Sequence, residues 1–291
     1  MVLGLSSYLR EMEVILRKTH DCQPTLNDSE VLNFCKNGFL SLESVVDPNI
    51  NQMTLDYLNS GSQRSEPTDI LDEDWFLDAV IKNPQAAGAI RSLLGKDFGL
   101  PILMSSHRTQ TPQSSQDWHI DGNSKFGPQL NYLQVFYLPQ ECTREMGPTE
   151  LIPGSHFMFT HRDAINSLGS VRNSYYAVAP AGSIIITHYA IWHRRSSSSV
   201  ESIRENLKYN YWRSVEPNRD WLIDPDFDVN TADYTSQHPT YREQFRDAKD
   251  VAEMYLWLRG EHDKFRSVGG QGWPLPGTRN DIPYGIPKGI N

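Results

Sequence analysis

The triplet His119-Ile120-Asp121, with His193 following 74 residues later and Arg204 eleven beyond that, combines residue types suited to a metal ion and an anion. Residues at i and i+2 of an extended segment project to the same side, so His119 and Asp121 can offer one imidazole and one carboxylate to a single ion. A second imidazole completes a facial triad. Two histidines and one carboxylate on one face leave the opposite positions open, the ligand set with which non-haem Fe(II) oxygenases bind co-substrate and dioxygen.

His193 is the candidate for that second imidazole. Residues 182–193 read as one β-branched, aromatic-rich strand introduced by Pro180 and Gly182. On a regular strand His188 and His193, an odd number of residues apart, face opposite sides, so only one of them can reach the metal. The residues downstream favour His193: Arg194, Arg195 and the serine run at 196–199 form a polar turn, and a second strand from Arg204 to Trp212 returns antiparallel. This hairpin places Arg204 near His193. The planar fork of an arginine suits bidentate capture of a carboxylate, so a small dicarboxylate could chelate the metal at one end and be gripped by Arg204 at the other.

Further motifs accompany these residues: Asn37-Gly38-Phe39 after a first helix, Gln116 three residues before His119, and Gly147-Pro148-Thr149 leading into Ile152-Pro153-Gly154-Ser155-His156. In this order, over residues 25–215, the chain resembles the phytanoyl-CoA dioxygenase superfamily of Fe(II)/2-oxoglutarate-dependent oxygenases. Met146 departs from the pattern, since many members carry Asn in the segment before that glycine. The resemblance implies a mainly β fold with flanking helices, a double-stranded β-helix (jelly roll, cupin-like). It also implies that His119, Asp121 and His193 are catalytic ligands of Fe(II), that Arg204 anchors 2-oxoglutarate, and that Gln116 and Thr149 hydrogen-bond it. Dioxygen is the second co-substrate.

Composition bounds the alternatives. A chain of 291 residues can bury a substantial core, and no repeat or low-complexity linker divides it, so a single domain over 1–291 is expected. Its β-rich core spans residues 100–213, with a helical and irregular extension over 214–291. A formal net charge of −9 argues against a general nucleic-acid binder, which needs a basic surface to displace phosphate counterions. The local pair Arg194 and Arg195 remains compatible with an anionic small molecule. Cys22, Cys35 and Cys142 are odd in number, far apart and without Cys-x-x-Cys spacing, so neither a disulfide framework nor a thiolate zinc site is indicated and a reducing, cytoplasmic setting is expected. Charged residues interrupt the apolar amino terminus, and no segment approaches the ~20 apolar residues of a membrane-spanning helix. The closing Lys288-Gly289-Ile290-Asn291 is not the Ser-Lys-Leu peroxisomal address.

The elements that must position these residues can be read from periodicity. Tyr8, Leu9, Met12, Ile15, Leu16 and Thr19 make a helical stripe, and a second helix is expected from Thr25 to Lys36, ended by Gly38. Phe39, Leu40, Leu42, Val45 and Val46 suggest a strand, residues 59–74 a polar loop or lid, and residues 75–82 and 84–94 helices. The stretch 241–260 repeats apolar residues at helical intervals and is expected outside the barrel, while the tail from Val268, with Gly269-Gly270-Gln271-Gly272-Trp273-Pro274, is too aromatic for an ordinary linker. His107, His156 and His161 read as surface or hydrogen-bonding histidines, and Trp192, Tyr209, Tyr211 and Trp212 as packing residues.

The expected activity is oxidation of a small organic metabolite, by hydroxylation, desaturation or ring formation, in secondary metabolism, with release of succinate and CO2. A homodimer is possible, and neither nucleic acid nor membrane is an expected partner. The same residues admit three other readings: an acyl-CoA hydroxylase, disfavoured by the lack of a concentrated basic region for coenzyme A phosphates; a 2-oxoglutarate-independent cupin-type metalloenzyme, against which Arg204 argues; and a non-catalytic metal-binding jelly roll, against which the intact triad argues.

Overall fold

The described strands form one large sheet and two small ones packed around a shared interior. The computed structural model describes residues 18–61, 66–122, 126–158, 168–235 and 244–262. Of the amino-terminal stripe, Tyr8 to Leu16 lie outside these, as do the tail from residue 268 and His161, while Thr19 stands in a short strand rather than a helix. In chain order the strands are β1 (Thr19–His20), β2 (Phe39–Leu42), β3 (Phe98–Gly99), β4 (Ser105–Ser106), β5 (Thr109–Thr111), β6 (Tyr132–Leu138), β7 (Thr149–Leu151), β8 (Tyr175–Tyr176), β9 (Ser183–His188), β10 (His193–Arg195), β11 (Ser202–Arg204) and β12 (Leu207–Trp212). The larger sheet runs β1-β3-β12-β6-β9-β2, with β4 also on β12; smaller sheets run β10-β7-β8 and β11-β5. This is the expected jelly roll.

The centre of the large sheet is buried on both faces. Leu133, Val135 and Tyr137 of β6, Ile184 and Ile186 of β9, and Leu207, Tyr209 and Tyr211 of β12 join the core beneath the helices. The residues between them, such as Phe136, Leu138 and Ile185, face the small sheet instead. Each such aliphatic side chain contributes about 1.5–3 kcal/mol on burial, which holds the register: a slip of one residue would send Lys208 and Gln134 into the helical core.

Helices cover the outer face: α1 (Asp28–Asn37), α2 (Pro48–Ser60), α3 (Asp74–Phe76, continued as a π turn through Ile81), α4 (Pro84–Leu94) and α5 (Gln244–Leu258). A capping box starts α1, in which the Asn27 side chain accepts from the Glu30 backbone while the Glu30 side chain accepts from the Asn27 N–H. Gly38 ends it at φ 78°, and a Cβ there would lie 2.4 Å from Nδ1 of His156. His156 itself reaches the Cys35 carbonyl through Nε2 at 3.1 Å, so the Ile152–His156 motif docks the small sheet onto the end of α1 rather than serving a metal. Sequence periodicity gives no helix over 47–58, yet α2 is there; Asp47 caps it and Pro48 occupies its first turn, an N-terminal signal that periodicity alone passes over. Val251, Met254, Tyr255 and Leu258 bury one side of α5 in the same core. Among the described residues no helix is long and apolar enough to cross a membrane.

Two expectations require correction. Residues 182–193 are not one strand: β9 ends at His188, residues 189–192 turn, and the chain crosses to the small sheet, where β10 pairs with β7. Nor do 182–193 and 204–212 form a hairpin, because β9 and β12 flank β6 on either side. The all-apolar look of Ala190-Ile191-Trp192 hides a crossover, since all three residues stay buried through it.

Candidate metal centre

His119 and His193 are direct cross-strand partners. Their backbones exchange both hydrogen bonds, at 3.0 and 2.9 Å, which puts the two side chains on the same face with ring centroids 4.5 Å apart. Nδ1 of His119 lies 2.9 Å from the Asp117 carbonyl, and Nδ1 of His193 lies 3.0 Å from that of Ile191. A carbonyl only accepts, so each Nδ1 carries the proton and each Nε2 presents its lone pair. Asp121, two residues beyond His119, brings its carboxylate to the same point: one ligand atom from each of the three lies within 4.8 Å of the others.

The carboxylate is held from behind by alternating residues of the large sheet. Gln134 of β6 and Lys208 of β12 face the interior, and both donate to Oδ2 of Asp121, Lys208 Nζ at 2.6 Å. Burial pushes the Asp121 carboxyl up, but the opposing charges of His193 and Lys208 and the two hydrogen bonds more than reverse this and hold it at about 2. Burial lowers His193 to about 4, outweighing the pull of Asp121, so its imidazole is neutral at pH 7 and fit to ligate. His188 lies on the other face with Ile184 and Ile186, its ring 5.0 Å from that of His156, and Nδ1 accepts from the Ala190 N–H. It stands apart from the triad.

Beside the two histidines opens a cavity of about 230 Å³, lined by Gln116, Phe136, Thr149, Arg195 and Arg204 among others. Arg204 is 4% exposed, its Nη2 donates to Thr149 Oγ1 at 3.0 Å, and its Nε is buried without a partner. Gln116 accepts from the Arg195 backbone N–H at 3.1 Å. Gln116, Thr149 and Arg204 are thus brought to one cavity, although Arg204 arrives on β11, paired with β5, and not across a hairpin from His193. His107 also lines this cavity, where burial first and the charges of Lys208 and Arg204 next lower it to about 4. Sequence alone reads it as a surface or hydrogen-bonding histidine. Its position depends on the β4–β12 pairing, which no local pattern announces; the parity of Lys208 against Leu207 and Tyr209 is a usable signal for Lys208.

The donor set fits a divalent metal: two imidazoles whose Nδ1 atoms are held by backbone carbonyls, one ionised carboxylate, and a polar interior wall. The unpartnered Arg204 donor fits a carboxylate.

Solved structures share the fold of this chain. HygX from Streptomyces hygroscopicus, solved with nickel and 2-oxoglutarate bound, superposes with a TM-score of 0.55 at 14% identity over 68% of this chain and 90% of that one. The non-heme alpha ketoglutarate dependent carbocyclase SnoK from nogalamycin biosynthesis gives 0.53 at 13% identity over 69% and 91%, and the non-heme monooxygenase ThoJ in its nickel complex gives 0.51 at 17% over 80% and 98%. No protein-family model and no curated protein sequence matches the chain.

Proposed function

We propose that this chain is an Fe(II)- and 2-oxoglutarate-dependent oxygenase that oxidises a small organic metabolite, with release of succinate and CO2. The observation that carries the reading is the convergence of His119, Asp121 and His193 at one end of a small cavity whose wall holds Arg204 with an unsatisfied buried donor. The structural likenesses support it, since HygX was solved with 2-oxoglutarate and SnoK is a carbocyclase dependent on it. Iron(II) and 2-oxoglutarate, when bound, supply the activation of dioxygen and the oxidising power to take hydrogen from a C–H bond.

The chain's own residues orient and enclose. The carbonyls of Asp117 and Ile191 fix both imidazole rings, and Gln134 with Lys208 fixes the Asp121 carboxylate, so the donors need little rearrangement on loading. Arg204, steadied by Thr149, receives the distal carboxylate of the co-substrate. Phe136, edge-on to His193 at 5.8 Å, gives the cavity an apolar wall that limits water beside the reacting atoms. The target metabolite must approach from the open side of the triad. A cupin-type reaction without 2-oxoglutarate would leave the Arg204 donor without a purpose.

Anaerobic reconstitution with Fe(II), followed by a metabolite library and admission of oxygen, tests the reading: succinate forms in step with one oxidised product. Metal-dependent conversion of a library member without succinate would sink it. Arg204→Met is expected to leave a folded, metal-binding protein whose requirement for 2-oxoglutarate rises about tenfold or more, since a charge-assisted bond contributes about 1.5–3 kcal/mol. Calorimetric titration of 2-oxoglutarate into both proteins checks it.

A further inference from the structure

Arg195 lines the same cavity but has no part in holding the metal. It is the antiparallel register partner of Thr149, so the two side chains share a face, and Thr149 is the residue to which Arg204 donates. Thr149 therefore shares a face with Arg195 and a hydrogen bond with Arg204. The other arginines of this wall are neutralised: Arg194 by the fully buried Glu150 at 2.7 Å, and Arg108 by the buried Glu205. Among the described residues no carboxylate pairs with Arg195 or Arg204. Each instead keeps a buried donor without a partner, Nη1 of Arg195 and Nε of Arg204. Both guanidinium groups line one small cavity, where two like charges repel each other.

We infer that Arg195 is a second guanidinium for the distal carboxylate of the co-substrate, closing with Arg204 on its two oxygens. The inference rests on the assignment of this cavity to 2-oxoglutarate. A carboxylate has about four lone-pair sites and can accept from two forks at once, and its negative charge relieves the repulsion between them. Before the co-substrate binds, the arginine pair is a local cost to the fold. Afterwards it is a source of affinity.

The test uses Ni(II)-loaded protein, which binds without turnover, and two titrants. 2-Oxoglutarate carries the distal carboxylate; 2-oxopentanoate keeps the chelating 2-oxo acid and lacks it. Arg195→Gln is expected to weaken 2-oxoglutarate about tenfold and to leave 2-oxopentanoate unchanged, because only the distal end touches the fork. Arg195→Lys should recover part of the loss, since an ammonium restores the charge without the planar pair of donors. In the absence of either acid, Arg195→Gln should melt no lower than the parent protein, as one of two repelling charges is gone. If Arg195 merely supports the fold, Arg195→Gln melts lower and both titrants weaken together, which overturns the inference. Full 2-oxoglutarate affinity in Arg195→Gln, alongside a loss in Arg204→Met, also overturns it and leaves the co-substrate site standing. Full affinity in both variants removes the co-substrate site itself.

Discussion

His119→Ala, Asp121→Ala and His193→Ala are each expected to lose iron binding by more than about 100-fold, and turnover with it, whereas His188→Ala should keep its metal. Removing one of three protein donors costs more than disturbing the residues behind them, for which losses of about 10–100-fold are usual. The contrast between the two neighbouring histidines is the sharper part of the prediction. His193 presents Nε2 beside Asp121, at 3.8 Å from Oδ2, while His188 is buried on the opposite face of the large sheet. Its ring packs against that of His156 and Nδ1 accepts from the Ala190 N–H, so the alanine variant leaves a cavity and an unpaired backbone donor but removes no member of the triad. Anaerobic Fe(II) titration of the four variants measures this. Loss of iron in His188→Ala with retention in His193→Ala would overturn the assignment of the distal ligand.

Asp28→Asn destabilises the fold by about 3–5 kcal/mol, the cost of stripping one partner from a buried ion pair. The Asp28 carboxylate, 2% exposed, lies in the first turn of α1 and accepts from the Arg219 guanidinium, the Trp221 indole at 2.8 Å, the Tyr255 hydroxyl at 2.8 Å and the Asp224 N–H at 2.9 Å. It therefore ties α1, the segment after β12 and α5 together through donors alone. An amide turns an N–H2 toward those donors and leaves Arg219 uncompensated. Burial pushes this carboxyl up, but Arg219 and the other hydrogen bonds prevail and hold it at about 2, below the ~3.9 of an unfolded aspartate. The folded form thus binds its proton less readily, so the contribution is complete above about pH 4 and is lost as pH falls through 2. Urea unfolding of both proteins at pH 7, 4 and 2.5 checks it. The gap between them should be widest at pH 7 and narrow toward the acid end; a gap independent of pH would mean that the carboxylate charge is not what binds these elements.

Much of the site is legible in the sequence because its information is local. The i and i+2 spacing of His119 and Asp121 survives in the structure, as does the glycine that ends α1. His193, not His188, meets His119 and Asp121, and for a different reason than strand parity. The run from Ser183 to His193 is largely apolar, and an apolar run does not say where a chain leaves one buried sheet for another; the turn after His188, where the Ile191 N–H bonds the His188 carbonyl, is what separates the two. Arg204 likewise reaches the cavity by a pairing with β5 that no hairpin spacing encodes. Gln134, Lys208 and His107 are farther still from local signals. Gln134 and Lys208 converge on Asp121 because β6 and β12 lie side by side in a particular register, and register across residues so distant in sequence is a property of the packed core.

The reciprocal backbone pair between His119 and His193 has a further meaning for the life of the protein. Segments 74 residues apart meet there, and an ion held by both, and by Asp121, would act as a removable cross-link that only the folded chain can form. Binding of that kind adds RT ln(1 + [M]/Kd) to stability, about 2.7 kcal/mol when free metal exceeds Kd a hundredfold. A shift of that size changes the fraction of open molecules roughly a hundredfold, and open molecules are what proteases take. The abundance of the folded chain would then follow the supply of that metal, because the metal-free copies are the ones that open most often.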